Sequence, residues 1–101
     1  MARRIGGLVI SRKMGESIQL DYPNGRREII LVESMVREGA KVIISEHPYD
    51  LLLGDSVAIP GLTQEESDTG IYLESVEGGR AAIRVIADDR IRILRSELLR
   101  R

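Results

Sequence analysis

Cysteine is absent from the 101 residues, which excludes disulfides, thiolate zinc sites and a cysteine nucleophile and gives no sign of an oxidising compartment. Phenylalanine and tryptophan are absent too, and Tyr22, Tyr49 and Tyr72 are the only aromatics. A core therefore has to come from Ile, Leu, Val and Ala. Apolar runs such as Leu51-Leu52-Leu53 fall far short of the roughly 20 residues that span a membrane. The Arg3-Arg4 start lacks the apolar stretch of a signal peptide. A cytoplasmic protein without membrane contact is expected.

Catalytic and metal-binding patterns are also scarce. His47 is the single histidine and precedes Pro48, so a metal there would need carboxylates alone around it, and a turn residue is the simpler reading. Glu65-Glu66 and Asp88-Asp89 are adjacent carboxylates in polar stretches, where such groups are ordinarily solvated rather than set as acid and base. Ser11 has no partner histidine in sequence reach. Gly78-Gly79 is too short for a phosphate-binding loop, and no Walker or dinucleotide pattern occurs. Neither an enzyme nor a cofactor is expected.

Charge is present but unevenly placed. Residues 1–30 carry six Lys/Arg against three Asp/Glu, residues 31–79 carry two against ten, and residues 80–101 carry seven against three. The net charge of −1 thus hides two basic ends and an acidic middle. A polyanion would be drawn to the ends if folding joined them. An unevenly charged, solvated surface is the alternative.

Residues 8–11 form a short apolar run followed by Arg12, Lys13 and Gly15, which predicts a strand ending in a turn. Residues 17–22 alternate, and Pro23-Asn24-Gly25 supplies hairpin chemistry before a strand over residues 28–34. Arg37-Glu38-Gly39 turns the chain into residues 41–45. His47-Pro48 is expected to break that strand, because proline lacks an N–H donor. Short strands follow at residues 51–54 and 56–59, then a polar acidic loop over 63–70. Residues 71–76 and 81–87 predict a hairpin about Gly78-Gly79. Arg90 to Leu94 alternate arginine with isoleucine, and residues 96–101 read as a very short helix with Ser96 as N-cap. The fold class is all-β, largely antiparallel and barrel-like. A chain of this size buries only about two-thirds of its unfolded surface, so a partner subunit would help.

Shifting the chain by 41 residues produces an echo. Glu33-Ser34-Met35 falls on Glu74-Ser75-Val76, Ala40 on Ala81, Val42 on Ile83 and Ile44 on Val85. Duplication explains this, and so does the chance likeness of strands rich in Ile, Val and Glu.

The segment Leu8-Val9-Ile10-Ser11-Arg12-Lys13-Met14-Gly15-Glu16-Ser17-Ile18 resembles the opening strand and turn of the carbon storage regulator (CsrA/RsmA) family of translational regulators. Val76-Glu77-Gly78-Gly79-Arg80-Ala81-Ala82-Ile83-Arg84-Val85-Ile86-Ala87 is similar to that family's third and fourth strands. Ile91-Arg92-Ile93-Leu94-Arg95-Ser96-Glu97-Leu98 is similar to its fifth strand and helix start. The resemblance covers residues 7–20 and about 70–99, and residues 28–45 resemble the third and fourth strands as well. Leu94 and Asp88 depart from the family's histidine and proline.

The resemblance implies an intertwined homodimer of five-stranded subunits, in which strand 1 of one chain lies beside strand 5 of the other. It implies two equal sites for RNA carrying a GGA element in a hairpin loop or leader, and translational regulation by occlusion of the ribosome. The RNA-binding residues it implies are Ser11, Arg12, Lys13, Ile91, Ile93, Leu94, Arg95 and Glu97. An edge strand offers main-chain groups that read a base, and arginine adds charge and a planar stacking surface. Surface ion pairing of Arg95 with Glu97, and edge protection by Arg12 and Lys13, are the structural alternatives. The chain is then a single domain, residues 1–101, with an inserted acidic β segment at about 28–69. A protein partner held through that segment, on a scaffold that has lost RNA binding, is the second functional reading.

Overall fold

The computed structural model describes residues 7–59 and 69–96, and among these residues alternating apolar positions and closely spaced turns make nine strands. They are β1 (Leu8–Lys13), β2 (Ser17–Asp21), β3 (Arg27–Val36), β4 (Gly39–Ile44), β5 (His47–Leu52), β6 (Ser56–Ala58), β7 (Gly70–Glu77), β8 (Arg80–Ile86) and β9 (Arg92–Ser96). All pairings are antiparallel. One sheet has the order β1-β8-β7-β6 and the other β5-β4-β3-β2-β9. The all-β expectation holds.

Alternation puts one face of each strand inward. Ile18, Leu20, Ile30, Val32, Val42, Ile71, Leu73, Ile83 and Val85 are fully buried and form one aliphatic cluster between the sheets, with β4 over β7 and β3 over β8. The Cα radius of gyration of 13.0 Å is that of one compact domain, about 13 Å at this length. Residues 27–59 supply β3 to β6, so the acidic middle of the sequence is woven into both sheets.

One turn differs from expectation. The strand over β4 ends at Ile44, and Ser45-Glu46 form a two-residue turn with φ of 48° and 78°. Both left-handed φ values suit the tight turn whose twist matches its strands. His47 and Pro48 do not stop the sheet. They begin β5, an edge strand, where a missing N–H is tolerated. At the other end, Ser96 closes β9 in extended conformation, and residues 97–101, where a helix is expected, lie outside the described residues.

The echo in the sequence is an internal repeat of structure. The ladder Ile30↔Ile44 and Val32↔Val42 recurs as Ile71↔Val85 and Leu73↔Ile83, and the bulge at Glu33 recurs at Glu74. The opening hairpin repeats at a spacing of 39, since Ser17 pairs with Leu31 as Ser56 pairs with Tyr72. Gly15 N donates to Val32 O at 2.8 Å, and Gly54 N to Leu73 O at 2.9 Å. Glu16 caps the turn by accepting from Lys13 N at 2.9 Å, and Asp55 accepts from Leu52 N at the same distance. Gly15 and Gly54 have φ of 89° and 87°, the left-handed conformation that glycine adopts without strain.

Each half gives its opening strand to the other half's sheet. β1 lies on β8-β7-β6, and β5 lies on β4-β3-β2. The pattern is broken once, by β9, which extends the second sheet beyond β2. Among the described residues, nothing extends the first sheet beyond β6.

Candidate nucleic-acid interface

Two strands carry most of the residues singled out in the sequence, with Ile91 just before β9, and the fold brings their ends together without pairing them. β1 pairs with β8 and β9 with β2. The turn from β1 into β2 joins the two edges at Ser17, which pairs with Ser96 and whose carbonyl accepts from Arg12 Nη1 at 3.4 Å. At the other end, Leu8 lines a groove of about 360 Å³ with Ile91, Ile93, Asp88 and Asp89. The start of β1 thus lies beside the start of β9, and the end of β1 is tied to the end of β9 through Ser17.

Ser11 and Lys13 are exposed on β1 and Arg95 is exposed on β9, opposite Ile18. Ile93 and Leu94 are half-buried and Ile91 is buried, so the isoleucines hold β9 to the body while arginine stays at the surface. Glu97 lies outside the described residues. A strip of edge backbone flanked by Lys13 and Arg95 can contact both the base edges and the phosphates of an unpaired RNA loop.

Arg12 differs from an edge guard. It is 5% exposed, its Nε donates to Ser11 O at 2.8 Å, and it stands 3.6 Å from Glu16 Oε1. The Lys13 N–H, with Arg12 and Lys13 nearby, holds the Glu16 carboxyl below its ordinary range. The repeat supplies a control. The counterpart of Arg12 at a spacing of 39 is Leu51, 4% exposed. The fold accepts leucine at this position, so a buried arginine is not what the scaffold demands.

The rest of the second edge has changed with it. Asp50 and Leu52 stand where the first half has Ser11 and Lys13, and no strand flanks β6 as β9 flanks β2 among the described residues. One edge is basic and built up by an extra strand, and the other is acidic and apolar. Leu52, Leu53 and Val36 are exposed there, joined through the Val36↔Gly39↔Leu52 pairings.

A second cluster escaped the sequence reading. Arg26, Arg27, Arg90 and Arg92 line a groove of about 280 Å³ with Asp21 and Tyr22. The pairing Asp21↔Arg92 joins segments far apart in the chain. The only sequence signal was the excess of cations at both ends.

Comparison with known proteins yields no match: no family model, no curated protein and no solved structure. Among the described residues there is no group of three potential metal ligands and no helix long and apolar enough to cross a membrane.

Proposed function

We propose that this chain is an RNA-binding translational regulator with one recognition edge, formed by the end of β1 and by β9. The observation that carries the reading is the inequality of two structurally equivalent edges. The scaffold folds with Asp50, Leu51 and Leu52 in one half, yet the other half has Ser11, Arg12 and Lys13 and lies alongside the only strand that brings Arg95. Charges that the fold does not require are concentrated where an unpaired RNA loop would meet an open strand edge.

The resemblance of residues 8–18 and 91–98 to the carbon storage regulator family supplies the ligand class, a GGA element in a hairpin loop or leader, and the action, occlusion of the ribosome. The exchange of opening strands between the two halves supports reading the single chain as standing in for the homodimer that the resemblance implies. The active unit is then a monomer with one RNA site. Arg95 is the chief phosphate and base contact, Ser11 and Lys13 frame the edge, and Arg12 positions the β1 turn from below.

Titration into a labelled hairpin with GGA in its loop, beside the same hairpin with that triplet changed, tests this at near-physiological salt. Binding to the first alone is expected. Equal binding to both, or none, would remove sequence-specific recognition. The second reading then gains, a protein-interaction module, which the exposed Val36, Leu52 and Leu53 on the acidic half favour.

A further inference from the structure

We infer that the arginine groove between the β2–β3 turn and the start of β9 holds the phosphate backbone of single-stranded RNA beyond the recognition edge. This rests on the RNA-binding reading and extends it to the surface at the start of β9. Arg26 and Arg27 enter from one side, and Arg90 and Arg92 from the other. Pairing of β2 with β9 fixes the distance between them.

The chemistry of the lining favours phosphate. Four arginines line the groove with one lining carboxylate, Asp21, while Glu28 and Asp88 partner Arg26 and Arg90 from beside it. Of the chain's 15 cations, 13 are arginine, whose planar fork matches two phosphate oxygens at once. Arg26 is laid flat over the Tyr22 ring, 4.0 Å from its centroid, so part of its ordering is complete before a ligand arrives. Arg27 and Arg90 are held by carboxylates in and beside the groove. Arg27 Nε donates to Asp21 Oδ1 at 3.0 Å, and Arg90 donates to both oxygens of Asp88 at 2.8 and 2.9 Å. The single-contact Arg27–Asp21 pair contributes little to stability, so a phosphate can replace that carboxylate at small cost.

The groove is continuous with the recognition edge, because Arg90 and Arg92 precede Ile93, Leu94 and Arg95 on one strand. Its size, about 280 Å³, approaches the roughly 300 Å³ of the smaller ligand pockets and suits a nucleotide unit. The corresponding segment of the other half, residues 59–69, contains Glu65, Glu66 and Asp68 and no arginine in its sequence.

The test uses the full chain, the charge-removing variant R27Q/R90Q at two exposed positions outside β9, and three probes. These are the GGA hairpin, the same hairpin with a single-stranded tail of about eight nucleotides, within the usual footprint of single-strand binders, and oligo(U). With the unaltered chain the tail should tighten binding by about tenfold, and the variant should lose that gain while binding the tailless hairpin as before. Loss of two phosphate contacts should also flatten the dependence of log K on log salt by about 1.4. A tail gain that survives in the variant overturns the inference and leaves the recognition edge standing. Oligo(U) binding that the variant abolishes, together with indifference to the GGA triplet, supports the groove while removing GGA recognition. Displacement of the tail by inorganic phosphate at the RNA's own phosphate concentration would show a free-anion site and overturn the inference, as would no binding of any probe at near-physiological salt.

Discussion

The two halves of this molecule share ladder registers, bulges, glycine turns and carboxylate caps, and they differ along one edge. At the first edge the successive residues are Ser11, Arg12 and Lys13, and at the second they are Asp50, Leu51 and Leu52. Folding constraints act on both copies alike, so whatever they share is attributable to the fold and whatever they do not share needs another cause. Gly15 and Gly54 belong to the first category. Arg12 belongs to the second, since leucine fills the same buried position in its counterpart. A repeat within one chain thus separates structural from functional residues without any alignment of relatives.

Exchanging the edges gives the largest expected effect. The triple substitution Ser11→Asp, Arg12→Leu, Lys13→Leu should leave the fold intact by circular dichroism and weaken GGA-hairpin binding by roughly a hundredfold or more, given about 1.5–3 kcal/mol for each charged hydrogen-bonding group lost. Unchanged binding would show that the asymmetry of the edges has no bearing on RNA.

Arg12→Leu alone sharpens the same contrast. Leucine already fills the equivalent buried position in the other half, and Glu16, which is partly solvated, keeps its hydrogen bond from Lys13 N, so removing the guanidinium leaves no fully buried unpaired charge. Denaturant unfolding should therefore show no loss of stability, while hairpin affinity falls by about tenfold. A destabilisation of several kcal/mol would reassign Arg12 to the fold.

A smaller effect concerns acid. In the folded chain Glu16 is held below its ordinary pKa, first by the Lys13 N–H, and Asp21 is held below its own, first by Gln19 and then by Arg27. Groups depressed on folding contribute stability that is present above the unfolded pKa, about 4 for carboxylates, and lost as pH falls through the folded value. The unfolding midpoint should be flat from neutrality to about pH 5 and decline below it. Glu16→Gln should lower the midpoint at neutral pH and reduce the acid-dependent decline, and an unaltered decline would show that the cap contributes nothing.

The strands were legible because alternation of Ile, Val and Leu with polar residues marks a half-buried sheet face, and Pro23-Asn24-Gly25 and Gly78-Gly79 mark its turns. Pairing was less so. Nothing in a period of two tells β1 that it will lie on β8, or β5 on β4, because either exchange buries the same side chains. The echo at 41 residues was visible, but the loop between β6 and β7 is longer than that between β2 and β3, so the opening hairpins repeat at 39 and the Arg12 and Leu51 correspondence stayed hidden. β5 was obscured by Pro48, which only the edge position makes acceptable. Of the candidate interface, Ser11, Lys13 and Arg95 stand exposed where the sequence suggested. Burial of Arg12 and the meeting of Arg26 and Arg27 with Arg90 and Arg92 depend on tertiary pairing between β2 and β9, which local pattern does not encode.

Binding stoichiometry tests the central claim, one recognition edge in a self-sufficient chain, most directly. Titration of the GGA hairpin at concentrations well above its Kd, read by calorimetry and by native mass measurement, should saturate at one RNA per 11.3 kDa chain, with the protein monomeric before and after. Two RNAs per chain, or a dimer that carries one RNA on each subunit at a shared interface, would contradict it.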